Sequence, residues 1–305
     1  MTSPGRGALT LPRTEGLSAR LRAYWRVARW GIFAGALVFC VLVLTGTASY
    51  FATDEPLLMR DGAAYYFSDT PYEWRDRPAG AGEYRFSPAF LWVIAPLRLL
   101  PWEAFAAVWF AAHIAVLLYL RLPWMLIFPG VMEDALWGNI NTFLALAVVL
   151  IVRRGAAPLW ATVFLTKVTP GVAVVWHAAR REWRELAVAA GVTVLIVGIG
   201  LAVNPQLWFE WWESLITGPD TYPTTAYTPP LAPRLAIGAL VAVLAAVTNR
   251  AWLLPVAMLV AVPGFWPNSF ALLLASVALY RSELVSAPVA DGDPVVLNSR
   301  SSIRK

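Results

Sequence analysis

The chain has 305 residues, 59% of them hydrophobic and 14% charged, where a soluble domain carries about 25% charged residues. This excludes an ordinary soluble enzyme and points to a polytopic membrane protein. The formal net charge of +5 is unevenly spread, so it bears on orientation in a bilayer and gives no reason to expect a nucleic-acid partner. The single cysteine, Cys40, lies in an apolar run and has no partner for an internal disulfide. No zinc-ligand spacing, phosphate loop or dinucleotide fingerprint is present, so no metal or other cofactor is expected.

Residues 1–29 form a basic segment, with Arg6, Arg13, Arg20, Arg22, Arg26 and Arg29 against Glu15. The apolar run 30–52 is longer than a signal-peptide core and is followed by more spans, so it reads as a retained first helix. Further spanning candidates are 86–101, 104–120, 138–152, 185–203, 234–248, 251–264 and 267–280, with 122–132 and 156–179 ambiguous. The expected fold is all-α: a membrane domain over 30–283 with about eight spanning helices plus re-entrant half-helices. A polar, disordered tail covers 284–305.

The tendency of arginine to stay cytoplasmic orients these spans. The basic N-terminus, Arg153–Arg154, the Arg180, Arg181 and Arg184 cluster, Arg281 and the C-terminus fall inside, in a multi-pass plasma-membrane protein. Loops 53–83 and 204–233 then lie outside; the first is rich in Asp and Glu, and the second has no Lys or Arg. Between the two inner arginine clusters, 156–179 cannot cross once. It is expected to enter and return as two half-helices of about 11 residues, each about 16 Å long, broken at Pro170 and Gly171.

Lys167 sits at the apex of that segment, and the only other lysine is Lys305. A charge at such depth costs about 3 kcal/mol or more and marks a cavity, a partner or an anionic ligand. Other polar groups stand out near span ends. Asp61 and Tyr65 share a face if locally helical, although a solvated acidic loop has the same composition. Tyr84 and Arg85 precede the Ser87–Pro88 helix start, and Arg85 sits on the outer side against the usual bias. Asn139 and Asn141, one residue apart, cannot both cap the same helix. Trp208, Trp211, Trp212 and Tyr222 offer either a sugar-stacking platform or an interfacial aromatic belt. His113 and His177 lack companions for a metal site and read as packed or hydrogen-bonded.

Taken in order, Asp61-x-x-x-Tyr65, Tyr84-x-Phe86-x-Pro88, "LWGNINTFL" and "LTKVTPGV" resemble the motifs of glycosyltransferase family 87. These are polytopic GT-C enzymes that include actinobacterial polyprenyl-phosphate-mannose-dependent α-1,2-mannosyltransferases. Ser87 stands where proline is common and Asn139 where glutamine is common. The resemblance implies a membrane glycosyltransferase of GT-C fold. Such an enzyme moves a sugar, mannose by this likeness, with inversion from a polyprenyl-phosphate donor to a cell-envelope glycolipid or polysaccharide on the extracytoplasmic side. It implies Asp61 as general base, Lys167 and Arg85 at the donor phosphate, and Tyr65, Tyr84, Asn139, Asn141, Trp211 and Trp212 as substrate-binding candidates. A small transporter would also carry an intramembrane lysine and broken helices, and a non-catalytic membrane partner protein would need none of these motifs.

Overall fold

A computed structural model of the protein describes residues 86–94, 96–97, 100, 102–136, 138–217 and 229–286. The N-terminal segment, the first span 30–52, loop 53–83 with Asp61 and Tyr65, and Tyr84, Arg85 and Tyr222 lie outside the described residues. Every regular element among the described residues is helical. In chain order they are α1 (Pro88–Ile94), α2 (Trp102–Tyr119), α3 (Pro129–Leu136), α4 (Asn141–Arg154), α5 (Trp160–Thr166), α6 (Val175–Ala179), α7 (Trp183–Val203), α8 (Pro205–Thr217), α9 (Leu231–Val247), α10 (Leu254–Val260) and α11 (Leu273–Ser286). Short 3-10 turns join several of them, including Thr169–Val174 and Pro267–Leu272.

By length and composition α7 is the one described helix able to cross a membrane alone. Its 21 residues make a rod of about 31 Å, close to the thickness of a bilayer's hydrocarbon core. Helices α3 and α4 would make a second span together, but they meet at a 111° bend. The other expected spans are shorter or interrupted, and proline is the physical reason. Helix α1 stops at Ile94 before Pro96, α10 stops at Val260 before Pro263, and the 267–280 run opens as a 3-10 turn at Pro267. Helix α11 continues to Ser286, just inside the expected tail.

The core lies between α4, α5, α10 and α11, where Leu144, Trp160, Leu254, Met258, Leu272 and Leu274 are fully buried. Outer helices reverse the soluble pattern. On α9, Ile237, Leu240, Leu244 and Val247 face outward at helical spacing while Gly238, Ala242 and Ala245 pack inward. Small residues inside and large apolar ones outside is the arrangement of helices that associate within lipid.

The 156–179 segment folds back on itself. Helix α5 climbs to Lys167, whose extended backbone (φ −134°) ends the helix. The 3-10 turn Thr169–Val174 and α6 then return. The arms are joined near the base by Trp160 Nε1, which donates to His177 Nε2 at 2.9 Å. An indole only donates, so the His177 proton sits on Nδ1, which donates to Glu182 Oε2 at 2.7 Å. Arg180 Nε donates to Glu182 Oε1 at 2.6 Å, and its Nη1 reaches Asn249 Oδ1 at 2.8 Å. Partial burial works to raise the Glu182 carboxyl's pKa, but the hydrogen bonds from Arg180 and His177 and the Arg180 charge outweigh it and hold the group below the usual carboxylate range. Higher up, Gly171 lies against the Phe164 ring so closely that a Cβ would enter it.

Both arginine clusters flanking this hairpin lie at the same end of the bundle. Arg153 Nη2 donates to Ala278 O at 2.7 Å, Arg154 stacks 5.7 Å above Tyr119, and Arg281 reaches Arg121 O at 3.3 Å. Trp252 meets Tyr280 edge-on at 5.9 Å, joining that group to the Arg180–Asn249 side. The helix ends here turn tightly through left-handed residues Arg121 (φ 60°), Gly155 (φ 63°), Arg181 (φ 58°) and Asn249 (φ 55°). Lys167 and the start of α4 stand at the other end, about 20 Å away along the 14 residues of α4.

The hairpin contact predicts a difference between two glycines. Gly171→Ala forces the added methyl into Phe164 and is expected to lower stability by about 1–3 kcal/mol, as overpacking does. Gly191→Ala on the outer face of α7, with nothing within 4 Å, is expected to lose nothing. Thermal midpoints in detergent compare the two.

Candidate active site

The site is built around Asp134, in the second half of α3. Gly138 (φ 64°) turns the chain between α3 and α4 in a left-handed conformation, and Asn139 N–H bonds back to Asp134 O at 2.8 Å. The head of α4 is thereby folded under α3. Neither asparagine caps α4 with its own side chain. The cap is Asp134, fully buried, whose Oδ2 accepts Thr142 N–H at 2.8 Å and whose Oδ1 accepts Asn141 N–H at 3.2 Å. A carboxylate at a helix N-terminus satisfies free amides and is favoured by the helix dipole. Its neighbour Glu133 is half-buried beside it.

These clasps bring distant side chains together. Asn141 Nδ2 donates to Asp134 Oδ1 at 2.9 Å and to Asn268 O at 3.1 Å, and Asn141 Oδ1 accepts Lys167 Nζ at 2.7 Å. Asn139 Oδ1 receives Ile140 N–H at 2.8 Å and lies 3.4 Å from Asn141 Nδ2. On the far side of Asp134, buried His113 holds Nδ1 on Trp109 O at 2.9 Å and places Nε2 at 3.5 Å from Asp134 Oδ2. The rings of Trp109 and Phe143 enclose it, at centroid distances of 6.0 and 4.7 Å. A buried carboxylate, an ammonium and the amide between them balance charge where solvent does not. The hairpin apex is tied to α1 as well, through Ser87 N–H to Leu165 O at 3.0 Å.

Arg234, at the head of α9, is a buried cation at this end. It donates to the carbonyls of Pro229 (2.9 Å), Val262 and Pro263 (2.8 Å), and its guanidinium lies 5.1 Å from the Phe265 ring centroid. It ties α9 to the loop after α10.

Of the residues singled out from sequence, the structure brings Lys167 and Asn141 into direct contact, with Asn139 beside them. The tryptophans separate. Trp208 and Trp211 are 5% and 9% exposed and pack edge-on at 5.6 Å, whereas Trp212 is 61% exposed. Asp61, Tyr65, Tyr84 and Arg85 lie outside the described residues. Sequence reasoning missed Asp134, Asn268 and Arg234, while His113 is packed and hydrogen-bonded as read. A signal for Asp134 was present: an isolated lysine within apolar chain calls for a carboxylate, and "VMEDALWGN" supplies two just ahead of the Asn pair. Among the described residues no group of three or more metal-ligating side chains occurs.

Taken together, an all-helical bundle with outward apolar faces and a polar cluster at one end has the build of a membrane enzyme. Residues 84–287 match the model for Glycosyltransferase family 87. The chain belongs to that family and is a membrane glycosyltransferase, with a sugar donor and an acceptor as its substrates. No match is found among curated proteins or solved structures. Family membership decides against the transporter and non-catalytic readings.

Asp134→Ala leaves two backbone amides and the Asn141 side chain without their acceptor and removes the charge facing Lys167. It is expected to cost about 3–5 kcal/mol, the usual loss when one partner of a buried charged set is removed. Chemical or thermal unfolding in detergent measures it.

Proposed function

We propose that the protein transfers a hexose, mannose by family likeness, from a polyprenyl-phosphate donor to a cell-envelope glycolipid or polysaccharide on the extracytoplasmic side. The acceptor hydroxyl attacks the anomeric carbon from the face opposite the phosphate, inverting it. The C–O bond to the phosphate breaks with its electron pair, and polyprenyl phosphate leaves. Asp61 takes the hydroxyl proton as general base. Lys167 meets the growing negative charge on the phosphate, with Arg85 as a second cation. Tyr65, Tyr84, Asn139, Asn141, Trp211 and Trp212 serve substrate binding, and of the last two the exposed Trp212 has the face open to a sugar. The observation that carries the reading is the presentation of Lys167. It is half-buried at the tip of a hairpin, and among the described residues one acceptor, Asn141 Oδ1 at 2.7 Å, engages an ammonium that has three N–H bonds to give.

Asp61→Asn keeps size and removes basicity. Turnover with a radiolabelled polyprenyl-phosphate sugar and extracted envelope glycolipids is expected to fall about 10²–10⁴-fold. Donor binding should persist, and Asp54→Asn and Asp69→Asn should change little. Near-normal turnover in Asp61→Asn moves the base to another carboxylate. The side of the membrane is tested separately with Asp69→Cys in a Cys40→Ser background. An impermeant thiol reagent added to intact cells is expected to label it, and labelling only after the inner face is opened reverses the orientation.

A further inference from the structure

We propose that Asp134 is a positioning residue that aims Lys167 by fixing which way the Asn141 amide faces. The inference rests on Lys167 contacting the donor phosphate.

An amide side chain can be turned by 180° with little change in shape, and only its neighbours decide between the two settings. Here the neighbours leave one choice. Nδ2 of Asn141 lies 2.9 Å from Asp134 Oδ1 and 3.1 Å from Asn268 O. A carboxylate held by backbone amides and a peptide carbonyl both only accept. Oδ1 must therefore face Lys167 Nζ, which only donates, at 2.7 Å. Turned over, the amide would set its oxygen against two acceptors and its NH2 group against an ammonium. Buried polar groups mismatched in this way each cost a full desolvation penalty.

Asp134 is itself held on several sides. It is fully buried, its two oxygens take the first amides of α4 at 2.8 and 3.2 Å, and His113 Nε2 stands 3.5 Å behind. Lys167 is the opposite case: a compact charge on a flexible four-carbon stem, leaving the chain where α5 ends. Its hydrogen bond to Asn141 turns that stem into a directed group, with two N–H bonds that no described residue engages and that can meet phosphate oxygens. The orientation passes from the head of α4, through Asp134 and the amide, to the ammonium. Asp134 touches no reacting atom in this scheme.

The test is a double-mutant cycle on the full-length chain in detergent. It reads the Kd for a polyprenyl monophosphate and the thermal midpoint of Asp134→Asn, Asn141→Ala, Lys167→Met and the two doubles that contain Lys167→Met. Lys167→Met is expected to weaken binding about 10-fold or more. Asp134→Asn supplies an NH2 group where a pure acceptor stood and permits the turned-over amide. Asn141→Ala removes the amide but keeps the backbone bonds to Asp134. Each should weaken binding about 3- to 10-fold with Lys167 present and less than twofold with Met there, because coupled groups are not additive. Unchanged binding in Asn141→Ala, or equal losses in the Lys and Met backgrounds, overturns the positioning role and leaves the phosphate contact standing. Unchanged binding in Lys167→Met overturns the phosphate contact, and the positioning role with it. Should Asp134→Asn fail to fold, Asn141→Ala decides alone.

Discussion

A carboxylate that is fully buried must have every lone pair answered, and Asp134 answers its own with the first turn of the next helix. That one requirement sets the geometry at this end of the molecule. To give its amides to Asp134, α4 must begin beneath α3, which needs the left-handed turn at Gly138 and the 111° bend. Once α4 begins there, Asn141 is its first residue and its side chain points to where the hairpin apex and the 3-10 turn Pro267–Leu272 converge. In a bilayer's low dielectric an unanswered carboxylate would be protonated or would disrupt the fold. The polar cluster is thus a condition of having the acid at all.

The hairpin is held differently at its two ends. Its base is a run of side-chain hydrogen bonds through Trp160, His177, Glu182, Arg180 and Asn249, at 2.6–2.9 Å. Its apex is tied, among the described residues, by a side-chain hydrogen bond from Lys167, a backbone bond from Ser87 N–H to Leu165 O and the packing of the Thr169–Val174 turn. The build agrees with membership of a glycosyltransferase family, in which charge appears on a leaving group during the reaction and must be met by groups already in place.

Much of this was legible from sequence where one rule acted without competition. Helix α7 was found because nothing interrupts its apolar run, and the hairpin because two arginine clusters bracket a Pro-Gly break. Lys167 and Asn141 stood out as polar groups in apolar surroundings, and they touch. Less was legible where prolines cut apolar runs into pieces, so that 251–264 and 267–280 became a short helix, a turn and a longer helix. Asp134 fell between two named segments, 122–132 and 138–152, and its role depends on a bend that periodicity does not encode. The tryptophans of α8 needed the helix before inside could be told from outside, since Trp211 and Trp212 are adjacent in sequence and face opposite ways.

The links that complete the cluster differ greatly in the length of chain they close. Asp134 to Thr142 spans 8 residues, Asn141 to Lys167 spans 26, and Asn141 to Asn268 spans 127. Loop-closure entropy grows with the logarithm of length, so the last link costs about 2 kcal/mol more to close than the first. As the chain leaves the ribosome, the Asp134 clasp has all its parts more than a hundred residues before Asn268 exists. The acid is quenched early by its own neighbours, and a nascent chain need not hold a naked carboxylate in the bilayer while it waits for the C-terminal half.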